Sequence, residues 1–235
     1  MRLCGSTSLR ANPLSRPTGS QDYHFFMSQF FRIHPDNPQA RLIKQAAQII
    51  GDGGVVALPT DSSYALACHL DDKDAVTRLR RIRGIDEKQN LSLLVRDLSE
   101  LALFAMVDNR QFRLIKSVMP GPYVFILEAT KEVPRRLSHP SRKTIGLRMP
   151  DHAITLALLE ALGQPLLATT LILPPDTLPL NDPEEIRARL EKHVDLVVDG
   201  GACPREPTTV IDLTGPEPVL VRAGRGSLAP FGLSA

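Results

Sequence analysis

The chain has 235 residues, 43% of them hydrophobic, enough to bury a sizeable core in one large domain or two small ones. Its net charge is only +2, and residues 1–26 carry Arg2, Arg10 and Arg16 against Asp22 alone, so Met27 onward is neutral, whole-chain charge says little about nucleic acid, and any anion site must be a local concentration of charge. Three scattered cysteines, no zinc-type Cys/His spacing and no run of about 18 apolar residues exclude a disulfide scaffold, a zinc finger and a membrane-spanning helix.

The cysteines read as reduced thiols of a cytoplasmic protein. Residues 1–26, "MRLCGSTSLRANPLSRPTGSQDYHFF", are rich in Ser, Pro, Gly and Arg and lack the apolar region of a secretory signal. They read as a disordered tail, or as sequence ahead of a true start at Met27, where patterning begins. The segment "NPQARLIKQAAQIIGDGG" then sets Leu42, Ile43, Ala46, Ala47 and Ile50 at helical spacing, with Gly51 and Gly53 as the stop. "GVVALP" predicts a short buried strand that delivers the loop "PTDSSYAL", residues 59–66. A second helix starts from Asp71 or Asp72 as N-cap and runs to Arg83, with Gly84 just beyond its end.

"LSLLV" predicts a strand, followed by helices around 97–105 and 109–118. "MPGPYVFILEAT" is a turn leading into a strand, and "KTIGLRMP" is a strand ended by Pro150. A helix spans 151–162 and stops at Gly163. "PLLATTLILPP" runs from strand into a proline-rich loop, and helix 182–192 starts from Asn181 or Asp182 with Pro183 in its first turn. Three short strands, "VDLVVDGG", "PTTVIDLT" and "PVLVRAG", complete the chain. This alternation predicts an α/β fold: a twisted open mixed sheet covered by helices. With no internal repeat and no long linker, residues 27–235 read as one domain.

Chemistry has few places to reside. No GxSxG, P-loop or GxGxxG occurs, and "GDGG" and "AGRG" are weak glycine clusters. Polar residues stand instead where strands end, as ligand crevices of α/β sheets require: Thr60, Asp61, Ser62 and Ser63 follow a buried strand, Arg148 precedes a strand-ending proline, and Arg222 ends another strand. An ordinary Asp/Ser turn and solvent-facing strand stops would give the same pattern. The basic cluster "RLRRIRGIDEKQN" is the sharper signal. At about 100° per residue, Ala75, Leu79 and Ile82 share one helix face, with Val76 and Arg83 at its edge. Arg81 lies nearly opposite, and Arg78 and Arg80 between them read as solvated surface. Arg81, Arg83 and Lys88 could project over the mouth of the sheet and fork around phosphate or carboxylate.

With these residues in place, the chain resembles the YrdC family of threonylcarbamoyl-AMP synthases, and more closely its YciO branch. The resemblance is carried by "GGVVALPTDSSYAL", "LRRIRGI", "PGPYVFIL", "TIGLRMPDH", "PLLATT" and "PTTVIDLT", in the family order, from about Gln29 to Gly226. It implies a YrdC-like fold with a large concave basic cavity. It also implies a nucleotidyltransferase that joins ATP, L-threonine and bicarbonate into threonylcarbamoyl-AMP and pyrophosphate for tRNA modification. Mg²⁺ would arrive with ATP, implied by the family and not by any motif, and no protein-bound metal is expected. Such chemistry needs orientation and positive charge on phosphates, and no side-chain nucleophile.

Position by position, the family's Lys-x-Arg falls on Arg81-Ile82-Arg83, the pair expected to be catalytic. ATP and its phosphates would contact Arg81, Arg83, Lys88, Thr170 and Arg222. Threonine would contact Thr60, Ser62, Arg148 and Thr208, the last from the Ser-Thr-Val element at Thr208-Thr209-Val210. The family's Ser-x-Asn falls on Thr170-Leu171-Ile172. Ile172 offers neither the amide donors nor the carbonyl of an asparagine, and a planar guanidinium at Arg81 does not reproduce an ammonium. The resemblance therefore implies the fold and the anion crevice and leaves catalysis open. The alternative is a module that binds double-stranded RNA or tRNA by shape, for which those departures are no obstacle.

Overall fold

The segment Val55–Leu58 is wholly out of water, and this marks the centre of the fold. A computed structural model describes residues 27–87, 89–135, 137 and 143–234. The tail 1–26 and Lys88, both singled out above, lie outside the described residues. Eleven strands form one mixed sheet: β1 (Gln29–Arg32), β2 (Val56–Leu58), β3 (Ala65–His69), β4 (Ser92–Leu94), β5 (Ala105–Met106), β6 (Tyr123–Ala129), β7 (Thr144–Arg148), β8 (Leu166–Thr170), β9 (Leu196–Asp199), β10 (Thr209–Asp212) and β11 (Val219–Arg222). Their order is β1-β9-β2-β3-β8-β4-β7-β6-β10-β11, with β5 on β6. Parallel pairs (β1/β9, β2/β9, β4/β7, β6/β10) occur together with antiparallel ones such as β3/β8 and β6/β7. The architecture is the mixed, twisted α/β sheet that the alternation predicts.

Among the described residues six α-helices cover it: α1 (Ala40–Gly51), α2 (Lys73–Arg83), α3 (Leu98–Phe104), α4 (Asn109–Val118), α5 (Ala153–Leu162) and α6 (Pro183–Leu190). Their ends follow from local chemistry. The Asp72 carboxylate accepts from the Ala75 amide at 2.8 Å, and Gly84 takes a left-handed φ of 63° at the other end of α2. Asp108 and Gln111 form a reciprocal capping box on α4, and Asp182 caps α6 ahead of Pro183. Each such cap stabilises by about 1 kcal/mol.

Three strands are absent from the sequence reading. β3 occupies residues whose first two, Ala65 and Leu66, were assigned to a loop; β1 and β5 are short strands at the margins. The helices at 151–162 and 182–192 are shorter, opening at Ala153 and ending at Leu190.

Period-two alternation divides the core. Ala57, Leu66, Cys68, Leu93, Phe125, Leu127, Leu147, Leu167 and Val197 face one side, with Leu79 of α2 and Ile115 of α4 packed against them. Val56, Leu58, Ala65, Ala67, Leu166, Ala168, Leu196 and Val198 face the other, under α1 and α5. Each wholly buried leucine adds about 2 kcal/mol of hydrophobic stabilisation. α1 and α5 pack over the strands from β1 to β8, with Leu94 at their margin. Beyond them the same sheet face continues through β7, β6, β10 and β11 without a helix from this pair. That interruption positions the site.

Candidate functional site

The uncovered stretch of sheet is the floor of a cavity of about 300 Å³. Its floor residues sit at every second position of adjacent strands: Ser92 and Leu94 on β4, Val124 and Ile126 on β6, Thr144, Gly146 and Arg148 on β7. Gly146 keeps the centre open, because a Cβ there would lie 3.0 Å from Ser92 Oγ and 3.1 Å from Val124 Cγ1. Ala168 and Thr170 of β8 form one wall, and Thr208, Val210, Val221 and Arg222 form the opposite one.

Arg148 stands at the inner end, 6% exposed. Its Nη2 donates to Thr60 Oγ1 at 3.0 Å, to Ser62 Oγ at 2.9 Å and to Asp61 Oδ1 at 2.5 Å. The strand-end loop "PTDSS" thus serves as a cradle for one guanidinium. Thr60 also donates to the Ser63 carbonyl at 2.5 Å, which fixes the turn, while Thr155 of α5 donates to the Pro59 carbonyl at 2.6 Å and ties the loop to the helix. Tyr64, wholly buried, donates to the Gly201 carbonyl at 2.9 Å. Burial drives the Arg148 pKa down and the Asp61 carboxylate opposes that, so the charge is held in place by its partner. Arg148 Nε is buried and has no protein acceptor.

The α2 arginines are not four equal charges. Arg83 is half-buried at the end of the helix, lines the cavity and donates to the Ile172 carbonyl. Burial lowers its pKa. Its neighbour Gly84 packs so tightly that a Cβ would lie 2.7 Å from Pro174 Cγ, so the helix end and the proline-rich loop after β8 form one wall. Arg81 is exposed and does not line the cavity. Arg78 and Arg80, expected as solvated surface, are both half-buried and engaged. Arg78 pairs with Asp195, which also accepts from the Val55 amide at 2.7 Å, and Arg80 Nη1 donates to the Asp86 and Gln89 carbonyls at 2.5 and 2.8 Å. The helical wheel places these side chains between faces, but α2 is flanked by segments that reach them.

On the far wall Arg222 is exposed at the rim, yet its guanidinium is anchored: Nη2 donates to Thr208 O and Thr208 Oγ1, both at 3.0 Å. Its pKa is lowered first by burial of the guanidinium and then by the like charge of Arg148. The structure therefore gathers Arg83, Arg148, Thr170, Thr208 and Arg222 at one cavity, and sets Thr60 and Ser62 behind Arg148 and not in the lining. Asp61 is the ion-pair partner that the sequence showed only as part of the loop. Gln89, Asn90, Ser92 and Thr144 also line the cavity and were missed. Strand alternation could have found Ser92 and Thr144; no local signal marks Gln89 or Asn90.

Among the described residues that line the cavity three are arginines and none is acidic, so the lining carries positive charge. Among the described residues no group of three or more His, Cys, Asp and Glu side chains could hold a metal ion. The nearby carboxylate, Asp61, is already engaged with Arg148. The described lining thus offers Mg²⁺ no carboxylate ligand. No helix of the described residues is long and apolar enough to cross a membrane.

The sequence pattern of the Sua5/YciO/YrdC family, described as "Telomere recombination", matches residues 48–224. YciO of Escherichia coli strain K12 is 57% identical over 205 residues, which span 87% of this chain and 100% of that protein. The crystal structure of E. coli YciO superposes with a TM-score of 0.85 at 56% identity, over 87% of this chain and 100% of that one. A threonylcarbamoyl-AMP synthase of Halorhodospira halophila is 32% identical over 173 residues, 72% of this chain and 89% of that protein. The crystal structure of P. abyssi Sua5 complexed with L-threonine gives a TM-score of 0.78 at 27% identity, over 84% of this chain and 58% of that one.

Proposed function

The chain belongs to the Sua5/YciO/YrdC family, and from that premise we propose that its cavity binds ATP with an amino acid, L-threonine by preference, in the manner of a threonylcarbamoyl-AMP synthase. One observation carries the reading: Arg83, Arg148 and Arg222 converge on a cavity of about 300 Å³ whose described lining holds no carboxylate. A triphosphate and an amino-acid carboxylate are the anions that such an arrangement suits. Arg148 is cradled and nearly out of water, and with Nη2 taken by Thr60, Asp61 and Ser62 it suits the carboxylate through its remaining N–H groups. Arg83 and Arg222 stand on facing walls and suit the phosphates.

In the reaction so proposed, the threonine nitrogen bonds to the carbon of bicarbonate with loss of water. The carbamate oxygen then attacks the α-phosphorus of ATP, and the bond to pyrophosphate breaks. The protein's share is orientation and charge. The guanidinium groups are fixed before substrate arrives, so they need no reorganisation as charge shifts onto pyrophosphate. Duplex RNA or tRNA draws less support, because its outward phosphates would meet Arg81 and the rim but not the recessed Arg148.

Incubation with ATP, Mg²⁺, L-threonine and bicarbonate, followed by a pyrophosphate assay, tests this. Threonine-dependent release is the expected result. Release no greater than in a control lacking threonine removes the synthase reading, and a steep loss of duplex-RNA affinity with salt would favour the other.

A further inference from the structure

We propose that Arg80 is a positioning residue for the nucleotide: it holds the part of the cavity wall that carries Gln89 and Asn90 without itself touching the ligand. The inference rests on the nucleotide reading above for its consequence, and on geometry alone for its cause. Arg80 Nη1 donates to the Asp86 carbonyl at 2.5 Å and to the Gln89 carbonyl at 2.8 Å, bridging two points of one loop. Gln89 and Asn90, which follow, line the cavity, and Leu91 then turns into the core at 3% exposure to open β4. The loop is also closed on itself, since the Gln89 amide donates to the Asp86 carbonyl at 3.4 Å. The same amide donates to Asp86 Oδ1 at 3.0 Å, and the Ile85 amide donates to the Arg80 carbonyl at 3.1 Å, which closes the end of α2.

Arg80 and Arg83 stand one turn apart on the same helix end, and each secures a different wall. Arg80 holds the loop that carries Gln89 and Asn90; Arg83 reaches the Ile172 carbonyl across the cavity edge. The last turn of α2 is thus a common support of two walls. A guanidinium suits this task, since one planar nitrogen supplies two N–H bonds to two carbonyls at fixed angles. Without it the Gln89 carbonyl would turn to water at little cost to the fold, and the wall would lose its preset position. Ordering it again on binding would weaken the ligand.

The test combines hydrogen exchange with calorimetric titration of ATP·Mg²⁺ on the full chain. Arg80→Ala should raise amide exchange across 85–91 and weaken ATP binding by about tenfold, as expected for two exposed hydrogen bonds, with an unchanged unfolding midpoint. Arg80→Lys, whose ammonium can still reach a carbonyl, should recover much of both. Unchanged exchange at 85–91 in Arg80→Ala overturns the holding role. Raised exchange with unaltered ATP affinity overturns its consequence for the ligand. Wild-type protein that fails to bind ATP would sink the nucleotide reading and the ligand consequence with it, while the exchange result still decides whether Arg80 holds the wall.

Discussion

Asp61 and Arg148 form an ion pair at 2.5 Å with both side chains nearly out of water, 12% and 7% exposed. Removing one member leaves the other charged and unpaired in a space that cannot solvate it. Asp61→Ala or Arg148→Ala should each lower the unfolding free energy by about 3 kcal/mol. The double variant should lose clearly less than the sum of the two. Denaturant unfolding of the four proteins checks this, and strict additivity would mean that the two charges do not support each other.

Arg83 differs from the other cations of α2 in lining the cavity. Arg83→Ala should weaken ATP binding by about tenfold or more, the size of a charge-assisted contact to phosphate. Arg41→Ala, on the exposed face of α1, should leave it unchanged. Calorimetric titration in one buffer separates the two, and equal affinities for both variants would remove Arg83 from the site.

Gly84 stands at a φ of 63° with Pro174 against it. Gly84→Ala meets two penalties at once, a left-handed backbone for a residue with a Cβ and a contact of 2.7 Å to Pro174 Cγ. A loss of about 2 kcal/mol is expected from thermal or denaturant unfolding. A loss no greater than that of Gly163→Ala, which is also at positive φ but has open space around it, would show that the Pro174 wall yields freely.

Burial pushes the Cys203 thiol up to about 11 and the Cys68 thiol up to about 12, from an ordinary value of 9.0. Both folded values lie above the unfolded one, so the fold favours the protonated thiols. That contribution is complete below about pH 9 and is lost as pH rises through the folded values. Unfolding midpoints measured from pH 8 to pH 11 should fall, and Cys203→Ala should flatten part of the fall. An identical alkaline slope in wild type and Cys203→Ala would contradict the assignment.

The helices were legible because their ends are written locally. Asp72 and Gly84 bracket α2, and Asp108 with Gln111 opens α4 at the expected residue; each motif acts within a single turn and needs no distant partner. β1 carries no such signal. It is a four-residue edge strand that pairs in parallel with β9 near the other end of the chain. β3 was half concealed because "PTDSSYAL" reads as turn chemistry, and only antiparallel pairing with β2 and β8 draws Ala65 and Leu66 into the sheet.

The candidate site divides in the same way. The residue types at strand ends and the helical phase of Arg83 come from the sequence by itself, since periodicity and turn chemistry are short-range, and so does the family, since its motifs follow in order. Which arginine does what was decided by tertiary structure alone. Arg78, Arg80, Arg81 and Arg83 are chemically identical, and they part only because Asp195, the Asp86–Gln89 loop, solvent and the Ile172 carbonyl happen to lie within reach of each. The cavity itself follows from α1 and α5 leaving half of one sheet face without a helix, a matter of packing between segments distant along the chain, which no local pattern encodes.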